Sequence, residues 1–229
     1  MFKWTNKNQK LIDLALSFKP TGQLKNYLMT PLIDKKTNVL DAEYLVLDFE
    51  TTGLNFRTDH IISMGFTQIK TGRIQLQSSQ HHLVKTEKKL KSQNVSIHQI
   101  TDDAVCHGIS INTMMNLLLQ HMAGKVVIAH YKNIEYQFIQ HLSHALYGHA
   151  LPVLMVDTMA IEKKRMDRLN WHIQPNQLRL SNLRTAYHLP RYHAHNAMED
   201  AIATAELFLA QISHRQLNGY QLKLKDILS

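Results

Sequence analysis

The apolar positions of this chain follow one rhythm early and another late. The run Tyr44-Leu45-Val46-Leu47-Asp48-Phe49-Glu50 is almost continuously apolar and closes on two acids, which predicts a strand. Residues 60–69 predict a second strand, Lys70-Thr71-Gly72-Arg73 a turn, and Ile74 to Ser79 a third strand. His81 to Val84 adds a further strand segment, so the whole stretch reads as an antiparallel meander. Beyond it the period lengthens. Met114, Met115, Leu117, Leu118 and Met122 recur at helical spacing and predict a helix over 111–122. Val126 to His130 reads as a short buried strand, Glu135 to Tyr147 as a helix, and Leu154 to Asp157 as another short strand. Leu180 to Tyr187 predicts a helix that Pro190 ends, and Ala197 to Ser213 predicts a last long one. A meander followed by helices that alternate with single buried strands predicts an α/β fold. Its mixed sheet should hold about five strands, with helices on both faces.

Ahead of this core, Leu11, Ile12, Leu14, Ala15 and Phe18 keep a helical spacing up to Pro20-Thr21-Gly22. Leu24 to Met29 suggests a second short helix, and Pro31 to Val39 reads as a linker. The expected organisation is a helical N-terminal extension over 1–43, a core domain over 44–213 and a basic tail over 214–229. No internal repeat or low-complexity tract interrupts it.

Composition narrows the class. Hydrophobic residues are 44% of the 229, enough for a real core. No stretch approaches the roughly 18 apolar residues that span a bilayer, and the N-terminus lacks a secretory apolar segment. Cys106 is the only cysteine, so no internal disulfide can form. A cytoplasmic protein without a membrane partner is expected. The net charge of +8 favours a nucleic-acid partner, since lysine and arginine displace counterions from phosphates, although a basic surface alone does not require one. Among the fifteen histidines, His141, His144 and His149 are expected on solvated helix surface.

Candidate chemistry lies at three places. Asp48 and Glu50 stand two apart on a strand, so both carboxylates leave the same face. A divalent cation with oxygen ligands would relieve their repulsion; a solvated strand end would also explain them. His195-Asn196-Ala197-Met198-Glu199-Asp200-Ala201 opens the last helix, with Asn196 and Glu199 spaced as a capping box. That sets His195 just outside the helix and Asp200 in its first turn, able to face one cavity; a plain helix cap is the alternative. Between these, Glu135 opens the helix that follows the Val126–His130 strand, as a further ligand or as an ordinary first-turn acid.

Taken in order, these segments resemble the DEDDh 3′→5′ exonuclease superfamily, which includes the proofreading epsilon subunit of bacterial DNA polymerase III and has a ribonuclease H-like fold. Asp48-Phe49-Glu50-Thr51-Thr52-Gly53-Leu54 is similar to the first motif, Ala129-His130 through Glu135 lies at the second, and His195 through Asp200-Ala201 is similar to the third. Ser96-Ile97-His98-Gln99-Ile100-Thr101 and Val156-Asp157-Thr158 resemble two further segments. Two positions depart from the second motif: Glu135 replaces an aspartate, and Tyr131 replaces an asparagine before it. Gln99 also replaces a glycine.

The resemblance implies two ions, Mg²⁺ or Mn²⁺, held by Asp48, Glu50, Glu135 and Asp200, with His195 as general base. It implies that Thr51, Thr52, Leu54, Ile97 and His98 meet the terminal nucleotide of a single-stranded 3′ end, DNA before RNA, and that a nucleoside 5′-monophosphate is released. Ordinary core packing is the alternative for Leu54 and Ile97. Arg57, Lys132, Arg184 and Arg191 are candidate phosphate contacts, with plain surface charge the favoured alternative for each. An exonuclease acting on RNA or short oligonucleotides is one competing expectation. A catalytically silent nucleic-acid-binding relic, disabled at Glu135, is another. The N-terminal extension could carry a protein partner. Gln221-Leu222-Lys223-Leu224 is faintly similar to sliding-clamp peptides but lacks their aromatic residue, so a basic amphipathic tail is expected there.

Overall fold

The computed structural model describes residues 3–86, 100–192, 196–216 and 221–228. Ile97, His98 and His195 lie outside the described residues. Five strands form one sheet in the order β3-β2-β1-β4-β5. They are β1 (Tyr44–Thr51), β2 (Ile61–Lys70), β3 (Arg73–Leu83), β4 (Val126–Ala129) and β5 (Met155–Asp157). β1, β2 and β3 pair antiparallel, while β4 runs parallel to β1 and β5 parallel to β4. The meander with added parallel strands is therefore the one expected. The two segments foreseen at 74–79 and 81–84 merge into the single strand β3, whose register with β2 shifts between Phe66 and Gln68.

The helices are α1 (Lys3–Ser17), α2 (Gly22–Met29), α3 (Asp102–Cys106), α4 (Ile111–Met122), α5 (Asn133–Tyr147), α6 (Thr158–Arg168), α7 (Leu180–Ala186) and α8 (Ala197–Gln216). The sequence reading lacked α3 and α6. Strand β1 shows how the layers form, because its alternate residues enter different cores. Leu45, Leu47 and Phe49 pack in one cluster with Met114 and Leu118 of α4, Phe138 of α5, and Ile12 and Leu28 of the N-terminal helices. Tyr44 and Val46 pack in another with Ala205, Phe208 and Ile212 of α8. Helices thus cover both faces, and β1 is buried along nearly its whole length. Asp48 and Glu50 extend the Tyr44–Val46 face, the one that α8 covers.

The N-terminal helices are tied to this core. Ile12 and Ala15 are buried, and the Tyr27 hydroxyl donates to the Pro152 carbonyl at 2.8 Å. Leu14 and Phe18, which share the predicted stripe, are exposed. His149 departs from its expected surface position: it is buried, and its ring lies 5.6 Å from that of Phe18. Near the other end, Leu222, Leu224 and Ile227 enter the α8-side core. They are held there by bridges between Asn38 and Lys223 and between Val156 and Leu228. None of the helices among the described residues is long and apolar enough to cross a membrane.

Candidate active site

Three elements bring the acids together. Asp48 and Glu50 come from β1 with the period of two that a strand imposes. Asp200 comes from the first turn of α8, where its N–H donates to the Asn196 carbonyl at 2.8 Å. Asn196 caps that helix: its Oδ1 accepts from the N–H groups of Met198 at 3.1 Å and Glu199 at 3.2 Å. Asp48, Glu50 and Asp200 each offer a carboxylate oxygen, and these lie within 4.8 Å of one another.

Sequence reasoning missed the residue that makes this convergence possible. Gly65 of β2 stands directly opposite Asp48 in the antiparallel register. A Cβ at Gly65 would run into the backbone of Ala197 and Met198. The start of α8 therefore rests directly on the strand beside β1, and that seat delivers Asp200 to the pair on β1. No local signal marks Gly65, because the contact joins residues far apart in the chain.

Glu135 arrives from the first turn of α5 and is buried. Pairing of β1 with β4 extends only through Val46 and Ile128. Past that point the carboxylate of Glu135 accepts from the Phe49 N–H and from its own N–H. Those bonds hold its pKa down, but burial outweighs them, and with repulsion from Asp157 and Glu50 it is pushed up to about 8. Oε2 of Glu135 is buried without a hydrogen-bond partner. Burial also raises Asp48 well above the usual carboxylate range, and among its charged neighbours Glu135 contributes most, ahead of Glu50 and Asp200. The other three acids therefore all act on Asp48, and a bound cation would offset their mutual repulsion. Oxygen-only ligands, clustered and partly buried, suit a hard divalent ion such as Mg²⁺ or Mn²⁺. Glu135 is not among the three acids whose oxygens lie within 4.8 Å of one another, but its carboxylate, with one oxygen unpartnered, is near enough to raise the Asp48 pKa.

The loop before Glu135 is fixed from behind. Asp157 ends β5 and caps α6, its Oδ1 accepting from Met159 and Ala160 at 2.9 and 3.3 Å. The same oxygen accepts from the Tyr131 N–H at 3.0 Å. Tyr131 sits there with φ of +65°, a left-handed conformation that asparagine tolerates better than tyrosine. His130 bridges Thr158 Oγ1 at 2.8 Å and the Leu178 carbonyl at 2.9 Å, and burial lowers its pKa. The neutral ring, with Nε2–H donating to Leu178, satisfies both bonds, so His130 ties the loop to α6 and the chain beyond it.

Around the mouth, Thr51 is buried and donates to the Gly53 carbonyl at 2.8 Å. Thr52 Oγ1 donates to Asp59 at 3.2 Å and accepts from the His60 N–H at 3.0 Å. Leu54 is 72% exposed, which removes core packing as its explanation. Of the basic candidates, Arg57 lies over the Phe56 ring at 5.5 Å and Arg191 is exposed. Burial lowers the pKa of Lys132, opposed by Asp157 and assisted by Lys164. Arg184 is corrected outright as a phosphate contact. It is buried and donates to the carbonyls of Ala203 and Pro190 and to the Glu206 carboxylate, the last at 2.7 Å. Its charge is consumed joining α7 to α8.

Comparison with known proteins agrees with this geometry. A family model described as "Exonuclease" matches residues 45–208. The DNA polymerase III PolC-type protein of Thermotoga maritima is 28% identical over 169 residues; the match covers 74% of this chain but only 12% of that protein. The DNA polymerase III subunit epsilon of Treponema pallidum is 28% identical over 178 residues, covering 77% of this chain and 80% of that one. Among solved structures, E. coli Exonuclease I in complex with a 5cy-dT13 oligonucleotide superposes with a TM-score of 0.64 at 14% identity, over 81% of this chain and 42% of that one.

Proposed function

The chain belongs to the exonuclease family whose model spans its sheet and its acidic cluster, and on that premise we propose that it is a metal-dependent 3′→5′ exonuclease. Its substrate is the 3′ end of single-stranded DNA, and its product is a nucleoside 5′-monophosphate. The convergence of Asp48, Glu50 and Asp200 from two separate elements is the observation that carries this reading. The epsilon-type relative and the oligonucleotide complex of Exonuclease I support a DNA substrate.

In this reading Asp48, Glu50, Asp200 and Glu135 hold two divalent ions. Such ions supply Lewis acidity at the phosphate and lower the pKa of water, worth several kcal/mol in the transition state. The protein does the rest. His195 accepts the proton of the attacking water as the bond from phosphorus to the 3′-oxygen breaks. Thr51 and Thr52 border the terminal nucleotide on the turn that Asp59 fixes. Leu54 offers an exposed apolar contact to its base, a contact indifferent to base identity. Ile97 and His98 are assigned to the same nucleotide. An exposed charge such as Arg191 adds phosphate attraction that weakens with salt.

The test is direct. Labelled single-stranded DNA and RNA are incubated with the protein and Mg²⁺ or Mn²⁺, then with EDTA, then with Asp48→Ala. Shortening from the 3′ end should require metal and should fall by roughly 100-fold or more in the variant, the rate equivalent of several kcal/mol. Absence of any metal-dependent shortening would sink the proposal and leave the silent binding module. Faster shortening of RNA would overturn the DNA preference alone.

A further inference from the structure

A second hydrogen-bonded pair lies against the acidic cluster, on the side away from Glu135. Ser63 of β2 stands directly opposite Glu50 of β1. Residues paired this way share a face, with their Cβ atoms about 4.5–5.5 Å apart. Ser63 is fully buried, and its Oγ lies 2.6 Å from Nε2 of His81 on β3. His81 itself pairs with Gly65, which pairs with Asp48, so one row across the sheet runs from Asp48 through Gly65 to His81. The His81 ring leans out of that row toward the next, where Ser63 and Glu50 sit.

We propose that Ser63 and His81 are a positioning pair for Glu50. In this arrangement His81 Nε2–H donates to Ser63 Oγ, and the Ser63 hydroxyl proton is turned to the Glu50 carboxylate. The direction follows from the neighbours. A buried hydroxyl whose acceptor capacity is filled by an N–H has its own proton left to give, and the carboxylate opposite is the strongest acceptor on that face. The charges agree: burial and His82 push the His81 pKa down, while Glu50 pulls it up, so the imidazole lies within electrostatic reach of that carboxylate. A carboxylate held by such a donor keeps one rotamer, and a cation site pre-formed in that way loses less entropy when it fills. The pair acts through Glu50 and touches neither substrate nor ion.

The inference rests on the metal-dependent reading of the same site, and its test reads metal affinity rather than turnover. Free Mn²⁺ is counted by electron paramagnetic resonance during titration of the full chain. Ser63→Ala and His81→Ala should each weaken Mn²⁺ binding by roughly 10-fold, the usual penalty for losing a partner of a ligand. The double variant should be no weaker than either single one, because the bonds form one chain. His81→Gln, whose amide N–H can stand in for Nε2–H, should recover most of the affinity. The His81 ring in the unsubstituted protein should show the Nε2–H tautomer by nitrogen-15 resonance. His81 lies exposed on the edge strand, so its variants keep the test alive should Ser63→Ala fail to fold. Unchanged Mn²⁺ affinity in folded His81→Ala, with the unsubstituted chain binding normally, overturns the pair and leaves the exonuclease reading intact. Failure of the unsubstituted chain to bind Mn²⁺ overturns both.

Discussion

The two sides of the acidic cluster are built differently. On one side, Asp48, Glu50 and Asp200 converge through regular structure: a strand period of two, a helix capped by Asn196, and a glycine seat at Gly65. On the other side, Glu135 is delivered by a loop whose lead residue, Tyr131, is left-handed and held by Asp157. The first side is fixed by close backbone packing, which gives way only where an added atom enters the contact itself, as at Gly65. The second depends on side-chain bonds from Asp157 and His130, and ends in a glutamate with a buried, unpartnered oxygen. A pre-assembled ligand set on rigid elements and a fourth arm on a helix start that a loop positions can coexist in one site. Sensitivity to mutation should divide along the same line.

The largest effect should come from breaking the rigid side at its seat. Gly65→Ala forces the start of α8 away from β2 and takes Asp200 with it. The overpacking should cost about 1–3 kcal/mol of stability. A displacement of about 1 Å at the ligand should cost about 100-fold in rate. The measurement is thermal unfolding beside exonuclease turnover, both with Mn²⁺. Turnover that survives the substitution within a factor of two would mean that α8 is not positioned by this contact.

A smaller effect, with a defined pH dependence, should expose the second side. Glu135 is pushed to about 8 in the folded, metal-free protein, above its ordinary value of 4.5. Between those values the folded state binds the proton and the unfolded state does not. The contribution of Glu135 to stability is therefore full below about pH 4.5 and is lost as pH rises through about 8. Metal-free protein should melt at progressively lower temperature from pH 5 to pH 9, and Glu135→Gln should flatten that fall. Added Mn²⁺ should raise the melting temperature more at pH 8.5 than at pH 6, since binding requires the ionised carboxylates. If the variant and the unsubstituted chain fall in parallel, Glu135 is not the group that titrates.

The same division decides what the sequence could disclose. Asp48 and Glu50 were legible because a strand and its period are local, and Asn196 because a helix cap is local. Gly65 was not, since its role exists only once β2 lies under α8. Helix α6 escaped because its segment, Thr158 to Arg168, carries a run of lysine and arginine and buries only Thr158, Ile161, Glu162 and Met166. Arg184 read as surface charge, yet it is buried through partners supplied by α8 and the Pro190 turn. Leu222, Leu224 and Ile227 belong to a segment too short to show a period, and their burial follows from bridges to residues far along the chain. For Gly65, Arg184 and the last apolar residues the missing information was a long-range contact; for α6 it was a local pattern too polar to show an apolar face.

The smallest expected effect tests whether the loop carries strain. Tyr131 holds φ of +65°, where a non-glycine side chain costs on the order of 1–2 kcal/mol and asparagine costs less. Its N–H bond to Asp157 fixes that conformation, so the residue cannot relax without giving up the bond. Tyr131→Asn should therefore stabilise the fold by about 1 kcal/mol or less, read as a small rise in the denaturant midpoint at constant slope. The Asp157 bond involves only the backbone of residue 131, so the substitution leaves it in place and Glu135 where it is. Exonuclease turnover should then change by less than a factor of three. A larger loss of turnover with unchanged stability would give the Tyr131 ring a part in holding substrate, and the loop would no longer be only an arm that presents Glu135.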